Sequence, residues 1–228
     1  LAADYSQIEL RIIAEISGDE AMLEAFTAGQ DIHSATAARV FGVPFDEVDK
    51  TQRYRAKTVN FSIIYGAGAT NLSRQLDIKR AEASELIQQY FKQYPALKTY
   101  MDKTVEDARK NGYVTTLMGR RRYLRDINSR NGMVRSNAER MAINTPIQGT
   151  AADMIKMAMV KIHRVLQKQK LKTKMIMQVH DELVFDVFKP ELEHVKPLIE
   201  EKMRTAMPGL KVPIVVGMDT GDCWLDAH

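Results

Sequence analysis

The sequence predicts an α+β fold, an antiparallel sheet with helices that carries a long helical insertion. Three observations point to it. Short strand-compatible runs stand near both ends of the 228-residue chain. The stretch from Asp19 to about Asn111 is helical in pattern almost throughout, and Met175 to Val187 reads as a β-hairpin. Strands from both ends therefore surround a helical insertion.

The elements follow in order. Leu1-Ala2-Ala3 is a short apolar piece running into Asp4. Ser6 then offers an N-cap, and Ile8, Ile12 and Ile16 recur at helical spacing, so Asp4 sits where a strand ends and a helix begins. Helices are expected at Asp31 to Val40, Thr51 to Tyr65, Lys79 to Gln93 and Pro95 to Lys110, punctuated by Gly66, Gly68, Pro95 and Gly112. Tyr113 to Leu117 and Arg122 to Leu124 read as short extended pieces. A long helical segment from about Met133 to Gln167 is expected to be interrupted at Pro146 and Gly149, because proline inside a helical pattern kinks or breaks it. A strand near Met175, the hairpin, a helix from about Glu191 to Met207 and a strand near Ile214 to Met218 complete the chain.

The hairpin carries the first chemical signal. Met175, Ile176 and Met177 lead into Gln178-Val179-His180-Asp181-Glu182-Leu183, and Val184, Phe185 and Val187 alternate around Asp186. Its polar tip is His180-Asp181-Glu182. Acidic tips have a plain explanation, since Asp favours turns by bonding its own backbone. They also suit a metal if a second carboxylate is near, and Asp4 at a strand end is such a carboxylate. Two carboxylates can bridge a pair of Mg²⁺ ions for in-line phosphoryl or nucleotidyl transfer. Mg²⁺ takes only one or two protein carboxylates and leaves room for substrate phosphates. Glu182, next to Asp181 on an extended strand, points to the other face and is given a supporting role.

A second signal lies on the helix from Thr51 to Tyr65. Arg53, Lys57, Phe61 and Tyr65 are spaced four apart and share one broad face, while Ala56, Val59 and Ile63 fall opposite. Two cations followed by two aromatics fit a ligand with phosphates at one end and a flat base at the other. An amphipathic helix with snorkelling basic residues has the same pattern.

The net charge is +4, which suggests a basic face rather than a uniformly basic protein. Gly119-Arg120-Arg121-Arg122-Tyr123, with Arg125, Arg130, Arg135 and Arg140, locates it. Such cations give sequence-independent, salt-sensitive affinity for phosphates, or a solvated charged surface. Lys168, Lys170, Lys172 and Lys174 mark an exposed helix end and loop. The single Cys223 forms no internal disulfide, and no secretory leader or long apolar run stands in the sequence. A cytoplasmic protein with no membrane partner is expected.

These residues carry a resemblance. Asp4-Tyr5-Ser6-Gln7-Ile8-Glu9-Leu10-Arg11, the segment Arg53 to Gly66 and Val179-His180-Asp181-Glu182 closely resemble, in order, the three sequence motifs of the bacterial DNA polymerase I family, the A family of DNA polymerases. The resemblance implies a right-hand polymerase shape, with residues 1–17 and 113–228 as palm and 18–112 as fingers. It implies a monomer, nucleoid-associated in a bacterial cell, that adds deoxynucleoside triphosphates to a primer on primer-template DNA in replication and repair.

It also implies roles. Asp4, Asp181 and the Tyr5 backbone carbonyl would hold two Mg²⁺ ions, and Lys57 and Glu182 join the two aspartates in the catalytic set. Arg53 and Lys57 would hold the triphosphate, with His33 as a further contact and Gln7 in the nucleotide site. Phe61 would pack against sugar and base, and Tyr65 would stack at the template position. Glu9, with Tyr65, would fill the space of a ribose 2′-hydroxyl. Arg140, Asn144 and Gln148, four apart on one helix face, would contact the primer-template with Arg121, and His180 would lie beside the primer terminus. Tyr54, Arg55 and Ser62 depart from the family pattern, and Phe61 in place of tyrosine implies exclusion of dideoxynucleotides. A segment upstream of Leu1, including a thumb, is expected. Two alternatives stay open. One is a single-subunit RNA polymerase, against which Glu9 argues. The other is a fragment that binds nucleotide or DNA but needs the thumb to extend efficiently.

Overall fold

The computed structural model describes residues 1–227. The chain divides into two compact units, one formed by residues 1–12 with 150–228 and the other by residues 13–149. Residues 113–149, placed with the second part of the palm by the resemblance, belong to the second unit.

The first unit is built on a four-stranded antiparallel sheet in the order β4-β5-β1-β6, from β1 (Ala2–Tyr5), β4 (Lys174–Val179), β5 (Glu182–Asp186) and β6 (Val216–Asp219). Strand β1 is central, so both of its backbone edges are paired, and Ala2, Ala3 and Tyr5 are buried while Asp4 is exposed. Helix α9 (Leu192–Arg204) packs on β1 and β6 and buries Val195, Ile199 and Met203, one residue per turn of its inner face. The Tyr5 hydroxyl donates to the Met203 carbonyl at 2.9 Å, which ties the C-terminal end of β1 to that helix. Burial pushes the phenol's pKa well up, so it stays a donor at any working pH.

Helix α1 (Ile8–Ser17) follows β1 after a tight connection. Its first hydrogen bond runs from Arg11 N–H to the Gln7 carbonyl, and Gln7 is left-handed at φ 54°. Ser6 is therefore one residue outside the cap expected of it. Its backbone serves the sheet instead: the N–H bonds Val215, and the carbonyl accepts from Arg11 Nε at 2.9 Å. The other arm of Arg11 reaches the Pro213 carbonyl at 2.6 Å. Burial lowers that guanidinium's pKa to about 10, which still leaves it charged at neutral pH.

The second unit is helical: α2 (Glu20–Thr27), α3 (Ile32–Phe41), α4 (Lys50–Ile64), α5 (Ala69–Leu76), α6 (Arg80–Gln93) and α7 (Pro95–Asn111), then the short hairpin β2 (Tyr113–Thr115) and β3 (Arg121–Tyr123). Asp19 caps α2 through Met22 N–H and accepts from Ala96 and Leu97 N–H at the start of α7, so one buried carboxylate serves two helix ends. Asp49 and Gln52 form a reciprocal capping box that starts α4.

Helix α8 (Gly132–Lys168) is continuous, contrary to the interruption expected at Pro146 and Gly149. Proline in a helix interior costs about 3 kcal/mol. Here Ala142, Ile143 and Ile147 around it are all buried, and their packing offsets that cost. Gly149 is needed for closeness: a Cβ there would come within 2.5 Å of the Thr116 methyl, so the loop between β2 and β3 sits where only glycine permits it.

Candidate active site

The acidic residues come together through sheet register. Asp4 of β1 pairs directly with Glu182 of β5, and the Tyr5 N–H bonds the Asp181 carbonyl at 3.2 Å. Asp4 near the end of β1 and Asp181 in the turn before β5 thus stand at the same end of the sheet. The tip connecting β4 to β5 is only His180-Asp181, with His180 exposed and left-handed at φ 52°. A turn this tight leaves Asp181 no freedom to drift along the strand.

Glu182 differs from both aspartates. It faces the same side of the sheet as its partner Asp4, since directly paired residues do, yet it is buried, and its Oε1 accepts from the Trp224 indole N–H at 2.7 Å. A charge-assisted bond at that length fixes the carboxylate beside the exposed Asp4. Sequence reasoning missed Trp224, because the pair is separated by 42 positions and no local pattern announces it.

No group of three or more His, Cys, Asp or Glu side chains among the described residues is arranged to hold a metal ion. The donors present at the sheet end still fit Mg²⁺. They are hard carboxylate oxygens, Asp4 is exposed, and this ion needs only one or two protein carboxylates. Gln7 and Glu9 lie just beyond, at the start of α1, both half-buried.

In the second unit, α4 presents the face read from the sequence. Lys57 is exposed and Phe61 and Tyr65 are half-buried, their rings stacked at 6.1 Å and 18° between planes. Ala56, Val59 and Ile63 are buried on the opposite side. Lys57, Phe61, Ser62, Tyr65, Asn71, Gln75 and Arg140 line a cleft of about 330 Å³. Ser62 donates to Gln75 Oε1, which anchors α4 to α5 along that cleft.

Arg53 is held by a residue that the sequence did not connect to it. Asp31 accepts from Arg53 Nε at 3.0 Å and Nη2 at 2.9 Å while also capping α3 through Ser34 N–H. These bonds outweigh its partial burial and hold the Asp31 carboxyl at a pKa of about 2, and in return Asp31 raises that of Arg53. Two of the five guanidinium N–H donors are used, which leaves the rest to face outward. His33 is buried; its Nδ1 is 3.1 Å from Asn60 Nδ2 and its ring 5.7 Å from that of Phe61. Desolvation first, then Arg53 and Lys57, lower its pKa to about 4 against the pull of Asp31.

The residues expected on DNA divide. Arg140 packs against Gly66 at the end of α4, where a Cβ would come within 2.8 Å of its side chain, so it joins the cleft of Phe61 and Tyr65. Asn144 and Gln148 follow it at one-turn intervals on α8, Gln148 exposed and the buried Asn144 Oδ1 accepting no hydrogen bond among the described residues. Arg121 lies elsewhere, on β3 with its guanidinium 4.8 Å over the Tyr113 ring. Of its neighbours, Arg122 bonds Thr145, and Arg135 bonds the Ser129 carbonyl. Part of the arginine cluster therefore holds the hairpin and the start of α8 in place.

Comparison with known proteins fixes the family. The chain is 49% identical over 226 residues to DNA polymerase I of Bacillus caldotenax, 99% of this chain and 26% of that protein. It is 49% identical to that of Chloroflexus aurantiacus, 98% of this chain and 24% of that protein. A solved structure, the POL domain of Pol1 from M. smegmatis in complex with DNA primer-template and dNTP, matches 99% of this chain and 40% of that one at 43% identity and a TM-score of 0.96. The chain thus spans about a quarter of the length of the curated relatives it matches. The model of DNA polymerase family A matches residues 1–226, and the chain belongs to that family.

Proposed function

We propose that the chain carries the nucleotidyl-transfer centre of a template-directed DNA polymerase. The single observation that carries this reading is the register at the sheet end, which sets Asp4 across from Glu182 and bonds Tyr5 N–H to Asp181. In this reading residues 1–17 and 113–228 form the palm and 18–112 the fingers. The substrates are deoxynucleoside triphosphates and primer-template DNA, the two partners with which the M. smegmatis domain forms its complex.

Asp4, Asp181 and the Tyr5 carbonyl would hold Mg²⁺. When bound, the ions supply Lewis acidity at the primer 3′-hydroxyl and at the triphosphate. Glu182, fixed by Trp224, keeps negative potential beside Asp4. The primer oxygen attacks the α-phosphorus as the bond to pyrophosphate breaks, and no covalent enzyme intermediate forms. Lys57 and the outward N–H groups of Arg53 meet the charge gathering on the departing phosphates, a positioning and electrostatic task. Phe61 packs on the sugar and base, and Tyr65 stacks at the template position. Gln7 and Glu9 border the nucleotide, with Glu9 excluding a 2′-hydroxyl. Arg140, Asn144, Gln148, Arg121 and His180 contact DNA.

The test is extension of a labelled primer on a DNA template with Mg²⁺ and four deoxynucleotides, beside Asp181→Ala at matched concentration. Extension lost in the variant supports the assignment; equal extension by both overturns it. A second reading is binding of nucleotide or DNA without efficient extension. A gel shift with no extension by either protein would support it.

A further inference from the structure

The buried contacts behind α4 form a directional chain that ends on His33. Asn60, in the middle of α4, is fully buried, as are Thr36 and Tyr94. The Thr36 hydroxyl donates to Asn60 Oδ1 at 3.2 Å and lies 2.9 Å from the Tyr94 hydroxyl. With its proton committed to Asn60, Thr36 accepts from Tyr94. The amide of Asn60 is thereby oriented: oxygen toward Thr36, and Nδ2–H toward His33 Nδ1 at 3.1 Å. A ring nitrogen that accepts a hydrogen bond carries no proton, so the neutral imidazole must carry it on Nε2.

We propose that Asn60 is a positioning residue which fixes His33 as the Nε2–H tautomer and so makes it a neutral hydrogen-bond donor to a nucleotide phosphate. This rests on the nucleotide reading of α4 given above. The surroundings agree with it. Arg53 and Lys57 already supply positive charge, and with burial they oppose an imidazolium more than Asp31 favours one. A third cation would add repulsion among like charges, whereas a neutral donor adds direction. Phe61, next along α4 and 5.7 Å from the imidazole, confines the ring from one side.

The test is ¹⁵N-edited NMR of the histidine rings in the whole 228-residue chain at neutral pH, with His33→Gln identifying the signals. The wild type should show Nε2 protonated and Nδ1 bare. Asn60→Asp keeps the shape and replaces the donor with an acceptor, so Nδ1 should gain a proton. Thr36→Val, which removes the orienting hydroxyl with little change of volume, should give mixed tautomers. An Nδ1–H pattern in the wild type, or identical patterns in the wild type and Asn60→Asp, overturns the proposal.

Titration with dATP is then followed on the same signals. Thr36→Val should need about fivefold more dATP, the effect of weakening one hydrogen bond. Unchanged affinity, with the wild-type ring signal responding, overturns the positioning role. If the tautomers are as expected but dATP moves no signal on the chain, the nucleotide reading of α4 fails while the control of His33 by Asn60 stands.

Discussion

The sheet end and the face of α4 organise charge by different means. At the sheet end the backbone does it: β-ladder register and a two-residue turn put Asp4 and Asp181 where they are, and the hold of Trp224 on Glu182 is added to that frame. On α4 the spacing of four brings the residues to one face, but side chains fix the groups gathered there, with Asp31 on Arg53 and Asn60 on His33 of α3. The difference teaches where each is fragile. A carboxylate set by register tolerates changes around it but cannot itself be replaced. A cation set by a partner can be mis-aimed by a change elsewhere.

The largest effect should come from the register-set acids. Asp181→Ala or Asp4→Ala should lower primer extension by about 10³-fold or more with little loss of stability, since neither is a core residue. Extension within tenfold of the wild type, at about 1.4 kcal/mol of barrier, would put the chemistry elsewhere. Next, Lys57→Ala should slow incorporation by about 10²-fold in single-turnover assays. A change confined to the DNA dissociation constant would separate Lys57 from the phosphates.

A milder comparison uses pH. His33 has a folded pKa near 4, below its ordinary 6.5, so between these values the unfolded chain binds the proton and the folded chain does not. Stability from this group is full above pH 6.5 and lost as pH falls toward 4, to a ceiling of about 3 kcal/mol. Denaturant melts across that window should show the slope in the wild type and a shallower one in His33→Gln; equal slopes would remove His33 as the cause. Asp31 acts lower still, its contribution being lost as pH falls from its ordinary 3.8 toward 2. Smallest of all, Trp224→Phe should cost roughly 1–2 kcal/mol by removing the indole donor to Glu182. Thermal unfolding that leaves Tm unchanged would show that the bond contributes nothing net.

Much of this is legible in the sequence where the signal is periodic or local. The shared face of Arg53, Lys57, Phe61 and Tyr65, the hairpin around His180-Asp181 and the helices from Asp31 onward follow from spacing and turn chemistry. Asn60 is not legible, because a polar residue on the inner side of α4 has no meaning until Thr36, 24 positions earlier, and His33, 27 earlier, fold against it. Trp224 with Glu182 and Asp31 with Arg53 are hidden for the same reason. The continuity of α8 is missed because the penalty of Pro146 is local and visible, whereas the burial of Ala142, Ile143 and Ile147 that offsets it is not.

The central position of β1 also governs the order of events during synthesis. This strand leaves the ribosome long before its partners β5 and β6, which begin at Glu182 and Val216. While the segment between them is being made, its two edges lack those partners, and the helices of residues 13–149 can form from near neighbours. Pairings so distant along the chain are slow to close. Until they do, Leu1 to Tyr5 is an unpaired apolar edge, the kind of segment on which nascent chains associate wrongly. The acids at the sheet end thus meet only through long-range pairing, and a chain stopped before Val216 would lack one of the two walls that hold Asp4 in place.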